Sequence, residues 1–343
     1  MKKKFNEFYS HLKKKKDNQI ILYAKIVSLT YFAVAIEKIL TDSKNSYPSK
    51  DTLKILEKAR EIFDCFSKLS DYLKYKNKLS FEKNLVTMHK LLWQEIWPNY
   101  INLKQFNNLV EYRGKRLDFN GINKEFKNKN VLDFGCGNGS VSVALLKRGA
   151  KFCHGIDFGK KNIATAKYFS KILKLSKKSK FTLANIVNYK PKKKYDFIVC
   201  SAVLHHLKNK KDILKTLNNI TLACKSGTYF YFFLRGFAGI RYLAQDLSRA
   251  CLVNANPAFI KQILMTMGFS VDKITHLIDW HKAVYLQTKP DEIINILKKL
   301  NFTNFKRLKG PHKNDLDINQ VNSHKHGQIK FGTGELRFIC RYA

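Results

Sequence analysis

The segment Asp133-Phe134-Gly135-Cys136-Gly137-Asn138-Gly139 constrains the fold of this chain more than any other stretch. Val131 to Phe134 before the glycines has the texture of a short buried strand, and Ser140 to Lys147 after them that of a helix. Glycines at the C-terminal end of a strand allow a tight turn and let a ligand approach the backbone without a Cβ clash. The alternation continues. Strands are expected at Cys153 to Ile156, Phe181 to Leu183, Asp196 to Cys200 and Thr228 to Leu234. Helices are expected at Lys161 to Leu175 and Lys211 to Ala223. Strands alternating with helices imply parallel βαβ units with right-handed crossovers. Pro290 to Leu300 reads as a further helix, with strands Asn304 to Leu308 and Leu336 to Arg341 closing the sheet.

The second strand ends in Gly155-Ile156-Asp157, which places a carboxylate beside the glycine loop. An acidic residue at this position in dinucleotide folds accepts hydrogen bonds from a ribose diol. The glycine spacing is G-x-G-x-G preceded by Asp133, not the G-x-G-x-x-G of the dinucleotide fingerprint. A ligand without a pyrophosphate gains less from an exposed helix N-terminus. The pattern therefore favours an adenosine-type ligand that carries an amino acid over NAD.

Three stretches in order, Val131 to Gly149 (VLDFGCGNGSVSVALLKRG), Gly155-Ile156-Asp157-Phe158 and Tyr195 to Leu207 (YDFIVCSAVLHHL), resemble successive motifs of the class I S-adenosylmethionine-dependent methyltransferases. The resemblance is strong over about residues 130 to 235. It implies a doubly wound, mostly parallel α/β sheet of seven strands, Rossmann-like, whose last strand runs antiparallel. It implies S-adenosyl-L-methionine as cofactor. Gly135, Cys136 and Gly137 would line its methionine part, with Asp133 orienting that loop. Asp157 would bind the ribose hydroxyls and Phe158 would flank the adenine. Asn185, followed by Ile186, falls where the family often has an aspartate that accepts from the adenine amino group; an amide oxygen can accept the same bond. Ser201 would lie near the sulfonium. Asp133 as a simple cap of loop amides, and Phe158 as a core residue, are the plainer alternatives.

Methyl transfer from a sulfonium is an in-line displacement, so holding the reacting atoms in line is the main catalytic task. A base is needed only where the acceptor must lose a proton. His205 and His206, after the fourth strand on the ligand side, are the candidate catalytic residues, with packing of the following helix as the plainer role. Residues 1–120 read as a helical extension ending in an aromatic approach segment from Trp93 to Phe119. There Tyr112 and Arg113 are placed to close over the cofactor. The methyltransferase domain then takes 121–343, with a helical insertion at about 235–289 after the fifth strand. Arg235, Arg241, Tyr242, Trp280, His281 and Tyr285 make this insertion the place for acceptor specificity, or else a cap on the N-terminal helices. His324-x-His326 lacks further ligands, so no metal is expected.

The chain has 64 Lys and Arg against 26 Asp and Glu, a formal +38. That excess suits a polyanionic partner or compositional drift. Lys177, Lys178 and Lys180, and Lys190 with Lys192 to Lys194, precede strands and so lie at the edge away from the crevice. Only Lys208, Lys210 and Lys211 fall on the ligand side, which favours a small-molecule acceptor, such as a sugar or other biosynthetic intermediate. The C-terminal Gly332 to Tyr342 resembles methyltransferases of uncertain acceptor, some thought to serve surface polysaccharides. An RNA methyltransferase and a non-catalytic cofactor-binding partner protein are the alternatives. Ile20 to Ile36 is apolar and follows Lys13 to Lys16, but Lys25 interrupts it; it is read as a buried helix, too short to span a membrane. Seven cysteines without paired spacing point to reduced thiols and a cytoplasmic location.

Overall fold

The computed structural model describes residues 1–68, 102–283, 285–286, 289–312 and 315–343. Trp93 and the part of the expected approach segment before Asn102 lie outside them. The chain divides into two compact units. One is Met1–Leu92 with Ala238–Val284 and Val321–Thr333; the other is Trp93–Phe237 with Tyr285–Gln320 and Gly334–Ala343.

The second unit holds a seven-stranded sheet: β1 (Asn130–Phe134), β2 (Phe152–Asp157), β3 (Ser179–Leu183), β4 (Tyr195–Ser201), β5 (Cys224–Leu234), β6 (Phe302–Arg307) and β7 (Leu336–Tyr342). Their order is β3-β2-β1-β4-β5-β7-β6. β1 to β5 pair in parallel, and β7 runs antiparallel between β5 and β6. This is the doubly wound architecture expected from the alternating pattern. The central strands are buried on both faces, as parallel strands covered by helices must be. Leu132, Phe134, Ile198, Cys200, Phe230 and Phe232 face the helices Lys210–Leu222 and Pro290–Lys299 through Ile213, Leu217, Ile293 and Leu297. Val131, Phe197, Val199 and Tyr231 face the other way, onto Leu145, Leu146 and Leu117. The period of two along each strand sorts these residues between the faces.

The helix Leu103–Phe119 belongs to this sheet-bearing unit, whereas the sequence reading put it in the extension. Its Phe106 stacks on Phe169 with centroids 4.1 Å apart, and Val110 joins Val143 and Ala144. An Asn102–Gln105 capping box starts it.

In the first unit the helix Gln19–Thr41 runs unbroken for 23 residues, longer than the expected Ile20 to Ile36 segment. With a mean hydropathy of 1.7 it is long and apolar enough to cross a membrane. Lys25 does not break it, because the buried ammonium bonds Asp17, which also accepts from Asn254 Nδ2 at 2.9 Å. Ile21, Ile26, Leu29, Phe32, Ala33 and Ile36 are buried, and Ser28 donates to the carbonyl of Ala59 on the helix Pro48–Ser67. His324 packs edge-on to Phe331, and His326 holds a left-handed φ of 56° before Gly327.

Candidate functional site

The C-terminal ends of β1, β2 and β3 meet around the glycine loop. Gly135, Gly137 and Gly139 all have positive φ, at 84°, 53° and 81°. The amides of Gly135 and Cys136 donate to the Ile156 carbonyl at 2.8 and 2.9 Å, tying the loop to β2. A Cβ on Gly135 would stand 2.5 Å from Val203, and one on Gly155 2.7 Å from Phe181 and 2.8 Å from Cys136 Sγ. A Cβ on Gly137 would meet nothing within 4 Å. Gly137 thus faces open space, while its neighbours close the loop's underside.

Asp157 caps the arrangement. Its Oδ2 accepts the Gly137 amide at 3.0 Å; its Oδ1 accepts the Gly159 amide at 2.8 Å and Asn162 Nδ2 at 3.2 Å. Burial raises its pKa, and these donors oppose the shift. Asp133 is buried near the end of β1, two residues before Gly135, and accepts from the Ser142 hydroxyl at 2.7 Å. Burial pushes its pKa up to about 7, against the pull of the Ser142 hydroxyl, with the nearby Asp157 charge adding to the rise. Cys136 is buried and its thiol is pushed up, so it packs and does not react. Phe158 is exposed at the end of β2 and so is not a core residue.

On β3's side the expectations change. Asn185 is exposed, but its side-chain oxygen already accepts the Val187 amide at 3.0 Å in a local turn. Its amide nitrogen is therefore the group better placed to face a ligand. Ile186 turns into the core beside Tyr195 and Leu217, its carbonyl held by Asn219 at 3.1 Å, because an apolar side chain there fills the gap under helix Lys210–Leu222.

Ser201 ends β4 half-buried, paired with Phe233, and Ala202 turns the chain with a φ of 60°. His205 is buried, and its Nδ1 accepts the Arg235 amide at 3.0 Å. Its carbonyl accepts the Leu286 amide at 2.7 Å. Tyr285 lies against both histidine rings, centroids 5.1 Å from His205 and 4.6 Å from His206, and carries the Arg235 guanidinium 4.6 Å from its own centroid. The ends of β4 and β5 therefore present an aromatic and cationic group, and Val203, in the turn after β4, reaches Gly135 of the glycine loop.

Arg113, expected to close over the cofactor, stands here with an ionic cluster behind it that the sequence did not mark as part of a site. Arg113 has a buried Nε without a hydrogen-bond partner among the described residues. Burial, with Arg116 and Arg337 near it, pushes its pKa down to about 10, and its charge acts on Asp133. Behind it Arg116, Asp315, Arg337 and Glu335 form a buried ionic cluster. Position before the first strand hinted at Arg113. Nothing local marks Asp315, which lies 199 residues from Arg116.

A family described as a methyltransferase domain matches residues 99–246. The ubiquinone biosynthesis O-methyltransferase of Pelagibacter ubique (strain HTCC1062) is 30% identical over 246 residues, covering 69% of this chain and 91% of that protein. The enzyme of the same name from Neisseria meningitidis serogroup C is 24% identical over 118 residues, 34% of this chain and 49% of that one. Among solved structures, magnesium protoporphyrin IX methyltransferase from Synechocystis PCC 6803 with bound S-adenosylhomocysteine aligns at a TM-score of 0.46 and 14% identity, over 76% of this chain and 99% of that one. A relative matched along nearly its whole length, on a chain whose glycine loop and Asp157 stand where three ordered motifs put them, settles the assignment: this chain belongs to the class I S-adenosylmethionine-dependent methyltransferases.

Proposed function

We propose that this S-adenosylmethionine-dependent enzyme methylates a hydroxyl oxygen on a small, aromatic-rich acceptor bound at the ends of β4 and β5. The cofactor supplies an electrophilic methyl group on a sulfonium. The residues present fit it: Gly137 leaves open space, the buried Asp157 carboxylate stands against the Gly137 amide with lone-pair capacity left on its oxygens, and Phe158 offers an exposed ring. The unsatisfied, buried Arg113 Nε, on the helix packed against the one that follows the glycine loop, carries the reading. A guanidinium with a donor to spare suits the carboxylate of an amino-acid-bearing nucleoside. Gly135 and Cys136 would shape the floor, Asn185 the adenine end, and Ser201 the approach to the methyl group.

The acceptor side follows from the histidines. A neutral imidazole that accepts at Nδ1 carries its proton on Nε2, so His205 as placed donates from Nε2. His205 thus orients, and half-buried His206 takes the acceptor's proton. The Pelagibacter relative's name specifies O-methylation in ubiquinone biosynthesis, which supports a hydroxyl acceptor. The rings of Tyr285, His205 and His206 support a flat aromatic acceptor over a sugar. Lys210, one of the lysines on this side, is engaged with Glu292, which lends an RNA acceptor little support. All seven cysteines are free thiols, in keeping with a cytoplasmic enzyme.

Calorimetric titration with S-adenosylhomocysteine tests the site. Wild type should bind at micromolar strength, and Asp157→Ala should bind at least about tenfold more weakly, the loss of a charge-assisted hydrogen bond. Folded wild-type protein that does not bind would refute the site. With labelled methyl donor, transfer to 3,4-dihydroxybenzoate and not to total RNA would support the acceptor reading; the reverse would sink it.

A further inference from the structure

The helix Leu103–Phe119 carries Arg113 and is pinned on two sides. On one side stands Arg148, at the end of the helix Ser140–Lys147 that follows the glycine loop. A Cβ on Gly114 would collide with its guanidinium, which bonds Asp118 at 2.9 Å and Glu111 at 3.1 Å. On the other side stands Asp315, fully buried in the connection from β6 to β7. Its carboxylate accepts Arg116 Nε at 2.9 Å and a second nitrogen of the same guanidinium, together with Arg337 Nη2 at 3.1 Å. Its backbone carbonyl accepts Arg337 Nη1 at 3.1 Å. The same connection grips Tyr112: His312 stacks on its ring at 3.9 Å and meets its carbonyl through Nε2 at 3.0 Å.

Apolar packing lets a helix turn or slide by a fraction of a step at little cost, whereas a buried carboxylate whose Oδ1 takes two nitrogens of Arg116 and one of Arg337 restrains both distance and direction. Arg113 and Arg116 are three residues apart and share a helix face, so fixing one fork fixes the direction of the other. A buried ion bridge gains little stability over apolar side chains of similar volume. What this one adds is geometry.

We propose that Asp315 is a positioning residue for cofactor binding, holding Arg113 toward the glycine loop through the buried Arg116–Asp315–Arg337 bridge. The inference rests on the reading of Arg113 as partner of the cofactor's carboxylate, and the two are separable with paired probes. S-adenosylhomocysteine carries that carboxylate; 5′-methylthioadenosine keeps the nucleoside and thioether but lacks it. On the full chain, Arg113→Met should weaken S-adenosylhomocysteine about tenfold and leave 5′-methylthioadenosine unchanged. Unchanged S-adenosylhomocysteine binding here would end the Arg113 reading by itself. Asp315→Asn should repeat the selective loss, about tenfold on the first probe and less than about twofold on the second. Equal losses on both probes, or none on either, would overturn the proposal. Stripping one carboxylate from between two buried guanidinium groups endangers the fold. A quadruple variant, Arg116→Met with Asp315→Leu, Glu335→Gln and Arg337→Met, therefore removes the whole ionic cluster at once. It should fold and show the same selective loss; full S-adenosylhomocysteine affinity in it would overturn the proposal as well.

Discussion

Asp133 should make the stability of this enzyme fall as pH rises, and Asp133→Asn should remove that fall. The carboxyl is 1% exposed, with the Ser142 hydroxyl as its one side-chain donor among the described residues, at 2.7 Å. Burial pushes its pKa up to about 7. In the unfolded chain it titrates near 3.9. A folded-state pKa above the unfolded one means a contribution fully present below about pH 4 and lost progressively as pH climbs through about 7. At 1.36 kcal/mol per unit, about three units amount to about 4 kcal/mol in total, of which about 2–3 kcal/mol falls between pH 5 and 8. An asparagine keeps the acceptor for Ser142 and does not titrate. Any fixed cost of its amide moves every pH equally, so the slope is the observable. Urea denaturation of wild type and Asp133→Asn at pH 5, 6, 7 and 8 measures it. The difference between the two should shift in favour of the variant by about 2–3 kcal/mol over that range. Parallel stability curves would refute the reasoning and place Asp133 among ordinary ionised carboxylates. Arg113 lowers this pKa, so Arg113→Met should steepen the wild-type fall.

Two further substitutions test the loop and the apolar helix. Gly135→Ala combines a left-handed φ of 84° with a contact 2.5 Å from Val203; it should destabilise by about 2 kcal/mol or more, and Val203→Ala added to it should restore only the contact's share, both read by thermal melting. Lys25→Met should cost more than about 2 kcal/mol in urea denaturation because it strands the carboxylate of Asp17, whereas Lys25→Met with Asp17→Asn should recover most of the loss.

Where the chain obeys a local period, the sequence was legible. β1 was expected at Val131 to Phe134 and runs Asn130–Phe134, and the helix Ser140–Lys147 falls where it was placed. Apolar residues two apart, followed by glycines, leave such a segment few alternatives. Asp157 was legible for the same reason, since a strand's end fixes where its last side chain stands. Asn185 was harder: it was expected to accept from an adenine amino group, but an Asx turn to Val187 engages its oxygen, a choice made by local backbone geometry. The helix Gln19–Thr41 was underestimated because Lys25 reads as an interruption until Asp17 is known to stand beside it. The acceptor side was least legible. Tyr285 and Leu286 reach His205 only through a contact 81 residues away in sequence, from Leu286 to His205.

The +38 charge conceals a simpler signal. In a chain with 64 basic residues, a surface carboxylate is worth little, since exposed ion pairs contribute at most about 1 kcal/mol and any neighbouring lysine can replace its partner. A buried carboxylate that receives several donors is a different matter, because removing it leaves each donor unsatisfied in a low dielectric. Asp157 receives three donors, Asp315 is gripped by two arginines, and Asp317 accepts the amides of Gly310 at 2.6 Å, Asn319 at 2.8 Å and Gln320 at 3.1 Å. Asp133 holds the helix behind the glycine loop through Ser142. These four acids sit where backbone turns, the glycine loop or buried arginines must be fixed. For a chain this basic, the 26 acidic residues carry more information about geometry than the 64 basic ones carry about partners.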